Sequence, residues 1–248
     1  MNQYDKEAHS FQLTSLELFK RTQDPYGQAM SNVHLGSYEL QENSAADAAR
    51  PYFTRALELY RAMNDDWRLA CAYEGPGRIS LEGRDPGGAD DLLKKALDYS
   101  RRSGEKTLVM WVLSSLGFAS IKQGNVEASV EYLQEGVGIS IQSSDDAMLT
   151  GFLELYIVFA DLREDWQRAA VLYGARENIS SRLDPRIRPL NKSAFADAVE
   201  RASTALGGEA WERHRARGLI MTNEEAASYA LPAPDPDPGP NPSLTSTS

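Results

Sequence analysis

Cysteine is almost absent from this sequence, and its scarcity excludes several classes of protein. Cys71 is the only cysteine among 248 residues, so the chain has neither a disulfide framework nor a cluster of thiolate metal ligands. The histidines His9, His34 and His214 lie far apart without the spacing of metal ligands, and we interpret them as helix-surface residues. The sequence therefore predicts no metal and no cofactor.

Long apolar runs, a phosphate-binding motif and a secretory signal are also missing. No apolar stretch approaches the roughly 18 residues that a membrane-spanning helix needs, and the N-terminal MNQYDKEAHS is too polar for a signal peptide. Neither GxxxxGKS nor GxxxxGKT occurs, which argues against nucleotide binding by a P-loop. The formal net charge of −10 disfavours a nucleic-acid-binding surface. We expect a cytoplasmic protein that binds neither membranes nor nucleic acids directly.

What the sequence does contain is a register of about 40 residues. Residues 85–104 (DPGGADDLLKKALDYSRRSG) have the apolar spacing and the start and stop signals of one amphipathic helix. A small residue followed four positions later by a large one recurs in this register at Ala49 and Phe53, Ala89 and Leu93, Ser129 and Leu133, and Ala169 and Tyr173. Such a period indicates a helical solenoid.

A small residue also lies midway through each predicted first helix, at Gly36, Gly77 and Gly117. Together these positions resemble the tetratricopeptide repeat in its form of about 40 residues. The resemblance implies an all-α, right-handed superhelical solenoid of tetratricopeptide-like helical hairpins with a helical C-terminal cap. We predict repeats over 25–180, the cap over 181–231 and a disordered Pro-rich tail over 232–248.

Residues 1–24 are predicted to form a partial repeat consisting of a lone second helix. Two interpretations stay open for it. The chain could begin inside a larger array, or this helix could be an eroded N-terminal cap.

Two local sequences conflict with the predicted helices. Pro51 predicts a kink or a late helix start, because a helix-interior proline removes one hydrogen bond. Gly75-Pro76-Gly77 is expected to break its helix, either as a hinge or as drift that neighbouring repeats tolerate. Thr222 and Glu225, in contrast, predict a capping box at the start of a last helix.

The C-terminal part carries a more specific resemblance. The runs RAAVLYGARENI (168–179) and AFADAVERASTALGGEAWERHRARGLIMTNEEAASYAL (194–231) resemble the end of large bacterial LuxR-like and antibiotic-regulator-like ATP-dependent transcription regulators. In that family a nucleotide-binding switch domain precedes such repeats, and the repeats receive an inducer or a partner protein. Because this chain lacks the phosphate loop, nucleotide binding is not carried over to it. We expect no helix-turn-helix domain after Ala230, so DNA binding is not carried over either.

In solenoids of this kind the first helices line a concave groove. Its predicted binding residues are Met30, Val33, Ser37, Cys71, Glu74, Arg78, Trp111, Ser114, Phe118, Glu154, Val158 and Asp161. Trp111 and Phe118 are seven residues apart on one helical stripe. They are interpreted either as anchors for a peptide or small ligand, or as core between repeats.

No catalytic constellation is visible. The acidic pairs Asp65-Asp66, Asp90-Asp91 and Asp145-Asp146 are interpreted as helix-start residues. One group of basic residues, the basic cluster, is interpreted as a solvated cap surface or as a contact for an acidic partner. It comprises Arg182, Arg186, Arg188, Arg213, Arg215 and Arg217. We predict a non-catalytic protein-interaction or regulatory module, whose partner is another protein or the switch domain of a longer parent protein. The alternative is a sensor that binds a small-molecule inducer in the groove.

Overall fold

The described part of the chain contains twelve α-helices and no β-strand. The structure, a computed structural model, describes residues 3–43, 46–82, 86–184 and 192–231. The helices are α1 (Gln3–Arg21), α2 (Pro25–Asn43), α3 (Ala46–Met63), α4 (Asp66–Glu82), α5 (Pro86–Ser103), α6 (Lys106–Gln123), α7 (Val126–Ser143), α8 (Asp146–Leu162), α9 (Trp166–Ser180), α10 (Lys192–Leu206), α11 (Gly208–Leu219) and α12 (Asn223–Ala230). The predicted all-α class is confirmed. The predicted tail, residues 232–248, lies outside the described residues.

The chain divides into two compact units, Met1–Leu155 and Tyr156–Ser248. In the first unit, each helix from α1 to α6 packs against its successor, and α2 and α6 each also pack against α4. In the second unit, α9 packs against α10, α11 and α12, and α10 packs against α11. The domain boundaries predicted after residues 24 and 180 stay predictions.

Half of the described helices start at a side-chain cap on the residue that precedes them. The Asp65 carboxylate accepts a hydrogen bond from the Arg68 amide at 3.1 Å, and the Asp145 carboxylate accepts one from the Met148 amide at 2.9 Å. Such caps satisfy amide donors that have no partner within the helix. Two of the acidic pairs are therefore helix-start residues, as predicted. Asp90 instead lies inside α5 and pairs with Lys94 at 2.7 Å.

The expected break at Gly75-Pro76-Gly77 is wrong, because α4 runs without interruption from Asp66 to Glu82. The two glycines allow α4 to lie close to its neighbours. A Cβ atom on Gly75 would come closer than 3.0 Å to the Phe53 ring of α3, and one on Gly77 would lie 2.7 Å from the Leu93 side chain of α5. Packing on both sides of α4 thus offsets the low helix propensity of this sequence.

Pro51 also lies inside a helix. Of the two expectations for it, the late helix start is wrong and the kink stays a prediction. α3 begins at Ala46 and continues through Pro51 to Met63. Two turns of this helix bury Ala49, Phe53 and Ala56. The burial of this apolar stripe stabilises α3 despite the hydrogen bond that Pro51 cannot make.

Replacing Pro76 with alanine is expected to stabilise the protein by about 2 kcal/mol. Alanine restores an amide donor for the Ala72 carbonyl and removes part of the roughly 3 kcal/mol penalty of a helix-interior proline. The urea midpoint of unfolding measures the effect. Pro25→Ala is the matched control, because Pro25 is the first residue of α2, where proline is well tolerated. An unchanged or lower midpoint for Pro76→Ala would contradict the expectation.

The second unit is organised around α9. The backbones of α9 and α11 approach closely at Gly174 and Gly218, where no side chain intervenes. Beside this contact, the Tyr173 ring lies 6.2 Å from that of Phe195 and 5.4 Å from that of Trp211, centroid to centroid.

The second unit ends on a capped helix. The Thr222 hydroxyl accepts from the Glu225 amide at 3.2 Å, and the Glu225 carboxylate accepts from the Thr222 amide at 2.8 Å. The capping box predicted at the start of α12 is therefore confirmed.

Candidate protein-interaction surface

Three helices of the first unit carry most of the predicted binding residues. Because α4 packs against both α2 and α6, these helices lie side by side. We call their predicted positions the first-helix face, which comprises Met30, Val33 and Ser37 on α2, Cys71, Glu74 and Arg78 on α4, and Trp111, Ser114 and Phe118 on α6. Met30, Val33 and Ser37 are all partly buried. Val33 packs against the buried pair Ala49 and Phe53, so part of its side chain belongs to the core.

A polar network joins α4 to α6 at this face. The Ser115 hydroxyl donates to a Glu74 carboxylate oxygen at 2.9 Å, and the Arg78 Nε atom lies 3.7 Å from the same oxygen. Glu74 and Arg78 are both partly exposed. Sequence reasoning missed Ser115, which is one position beyond the predicted Ser114. The network holds one carboxylate and one guanidinium in place on a surface that solvent still reaches.

The single thiol of the chain lies on the same face and is not activated. Burial raises the pKa of Cys71 to about 11, and the nearby charge of Glu74 contributes in the same direction. The thiol is therefore protonated near neutral pH and is a poor nucleophile. Its position favours a packing role at the edge of the face.

Trp111 is the most exposed residue of the first-helix face. Its side chain is 44% exposed, so the alternative that it is core between repeats does not describe it. Phe118, seven residues further along α6, is partly buried, and the Lys122 ammonium lies 5.6 Å from its ring centroid. Ser114 is buried, and its hydroxyl donates to the Trp111 carbonyl at 2.7 Å, so it does not face solvent. The face thus presents an aromatic group beside charged ones.

The three predicted residues on α8 are buried. Glu154 belongs to the first unit, whereas Val158 and Asp161 belong to the second. Asp161 accepts hydrogen bonds from Arg201 of α10 at 2.6 and 3.0 Å. Asp161 therefore has a structural partner, which sequence reasoning missed because no local pattern links residues 40 positions apart. None of the three is a residue that an external ligand reaches in this conformation.

Three arginines of the basic cluster contact residues of their own unit. Arg215 pairs with Glu177 and with Glu212, the latter at 2.7 Å. The Arg217 guanidinium lies 5.2 Å from the Tyr229 ring centroid, and Arg182 donates to the Asn223 side chain at 2.8 Å. Arg186 and Arg188 lie outside the described residues. These contacts favour the solvated-cap interpretation over an open site for an acidic partner.

The second unit also has an open cleft of about 690 Å³ that sequence reasoning missed. It lies beside α12, and its lining includes Arg217, Ile220, Met221, Glu225 and Tyr229. No sequence pattern marks it, because its walls come from the end of one helix and the side of the next.

Other kinds of site receive no support from the described residues. Within them, no group of three or more His, Cys, Asp or Glu side chains is placed to hold a metal ion. None of the helices in these ranges combines the length and the apolar character that a membrane crossing requires.

No protein-family model matches the sequence, and no curated protein is significantly similar to it.

Proposed function

We propose that this protein is a non-catalytic protein-interaction module. In this proposal its hairpins form a right-handed superhelical solenoid of tetratricopeptide-like repeats, similar to the repeat segment of LuxR-like regulators. The partner is a protein segment or the switch domain of a longer parent protein. The exposure of Trp111 on the first-helix face carries the proposal, because large exposed aromatic residues are frequent anchors of protein interfaces.

The chemistry of the face indicates what such a segment contains. Trp111 and Phe118 offer apolar contact area along one stripe of α6. Glu74 and Arg78, on the adjacent helix α4, carry one negative and one positive charge. A segment with an apolar residue flanked by charged residues fits this arrangement, because the aromatic group would supply affinity and the charges would set orientation.

Trp111→Ala is expected to weaken partner binding by roughly tenfold to a hundredfold while leaving the fold intact. Truncating a central aromatic anchor costs about 2 kcal/mol of binding free energy, whereas a half-exposed side chain contributes little to folding. The measurement is enrichment of peptides from a phage-displayed random library by the immobilised full chain, followed by titration calorimetry of the enriched peptide. Val126→Ala is the control, since Val126 is an apolar residue that is 41% exposed and lies on α7, away from the three helices of the face.

Equal loss of binding in the Val126 and Trp111 variants would contradict the assignment of the face. Loss of helical circular dichroism in Trp111→Ala, with unchanged affinity per folded molecule, would contradict it as well. A rise in unfolding temperature with a metabolite extract, but with no peptide, would favour the small-molecule sensor instead.

A further inference from the structure

The outer side of α1 carries an apolar pair that no described side chain covers. Phe11 is 74% exposed and Leu18 is 51% exposed. The two residues are seven positions apart, so they lie on one side of the helix, two turns apart. α1 packs against α2 through other residues, among them the buried Leu16. The exposed pair forms a short apolar seam.

The fold itself does not require apolar residues at these positions. In the 40-residue register, the position of Phe11 holds Pro51, Asp91 and Glu131 in α3, α5 and α7. The position of Leu18 holds Glu58, Asp98 and Gly138. Every one of these residues is exposed or partly exposed, and four of the six are acidic. The apolar seam is therefore a property of α1 alone among these helices.

A second side of α1 differs from its counterparts in the opposite sense. Glu17 and Lys20 occupy the positions at which α3 buries Leu57 and Tyr60, and they form an ion pair at 2.9 Å. α1 therefore has polar residues at positions where α3 is buried, and apolar residues at positions where α3 is exposed to solvent. This exchange indicates that the seam itself meets an apolar partner.

The charges beside the seam indicate which partner fits. Glu7 and Arg21 are both exposed, and they lie two heptads apart on the same flank of the Phe11–Leu18 seam. In an antiparallel pair of identical helices, each flank faces the same flank of the other helix in reverse order. Glu7 then lies beside Arg21 of the second copy, and Phe11 lies beside Leu18 of the second copy. In a parallel pair this flank would face the opposite flank of the second copy, so Glu7 and Arg21 would not meet.

We propose that the protein forms a two-fold symmetric homodimer through antiparallel pairing of α1 with α1 of a second copy. The interface is isologous, with two Phe11–Leu18 contacts at its centre and two Glu7–Arg21 pairs at its edges. One seam of this length buries less than the roughly 1,200 Å² of a standard interface. The dimer is therefore weak, and its population depends on protein concentration.

Sedimentation velocity of the full chain over a concentration series tests this proposal. The wild-type protein is expected to pass from monomer to dimer as the concentration rises. Phe11→Asp should remain monomeric with an unchanged circular dichroism spectrum, because Phe11 contributes little to the core. Val126→Asp is the control, since Val126 is exposed at the start of α7 and lies outside the seam. It should dimerise like wild type.

Charge reversal tests the antiparallel arrangement separately. Glu7→Arg and Arg21→Glu should each weaken the dimer by about tenfold, since each change places like charges together at both edges. The double variant Glu7→Arg/Arg21→Glu should restore wild-type affinity. A wild-type protein that stays monomeric at its highest soluble concentration overturns the proposal. Dimerisation that survives Phe11→Asp overturns this interface, and failure of the double variant to restore affinity overturns the antiparallel pairing.

Discussion

Gly218→Ala is expected to destabilise the second unit by about 3 kcal/mol, near the upper end of the range for overpacking. A Cβ atom at this position would meet the Val171 carbonyl group and the Ala175 amide nitrogen of α9 at distances below 3.0 Å. These are backbone atoms of a packed helix, so they cannot rotate away as a flexible side chain would. Relief requires α9 and α11 to move apart, and the contacts among Tyr173, Trp211 and their neighbours would loosen as a result.

Urea unfolding, monitored by circular dichroism at about 222 nm, measures this effect. Gly208→Ala is the matched control, because it lies in the same helix and a Cβ atom there would meet no described atom within 4 Å. It should leave stability unchanged or raise it by up to about 1 kcal/mol, since alanine favours the helix more than glycine does. Unfolding of the two variants at the same urea concentration would contradict the close approach of α9 and α11 at Gly218.

Phe53→Ala is expected to destabilise the first unit by about 3–5 kcal/mol, the usual cost of truncating a fully buried aromatic residue. Phe53 is 1% exposed, and its ring fills the space left by two glycines. A Cβ atom on Gly36 would lie 2.8 Å from this ring, and one on Gly75 would lie even closer. Alanine would leave a cavity between α2, α3 and α4 that these rigid helices can close only in part.

The control for this variant is Phe11→Ala, measured at a concentration low enough to keep the protein monomeric. The same chemical change at a residue that is 74% exposed should alter the free energy of unfolding by less than about 0.5 kcal/mol. A loss below about 1 kcal/mol for Phe53→Ala would contradict the packing of its ring between the two glycines.

Local patterns account for much of the helical architecture. The caps at Asp65, Asp145 and Thr222 depend on side chains that bond to amides two or three residues away, and such bonds are encoded within a few positions of the sequence. The apolar period of each helix is likewise a local property. The all-α class and the capping box could therefore be predicted before any tertiary contact was known.

The candidate site could be predicted only in part. The 40-residue register placed Trp111 on a first helix, but whether its ring faced solvent or core depended on how α6 packs against α4. Ser114 and Glu154 occupy equivalent predicted positions, 40 residues apart, and both are buried. Exposure is decided by every neighbour that covers a residue, and many of those neighbours are distant in sequence.

The sequence by itself determined which segments are helical and where the capped helices begin, because hydrogen bonds and caps within a helix are short-range. Only the tertiary structure decided that α4 continues through Gly75-Pro76-Gly77. Local propensity opposes a helix there, and the deciding contribution comes from Phe53 and Leu93 on the two adjacent helices. Likewise, only packing revealed that Asp161 pairs with Arg201 and that Phe11 and Leu18 stay exposed. Such outcomes depend on residues that the fold brings together, and no short window of sequence contains them.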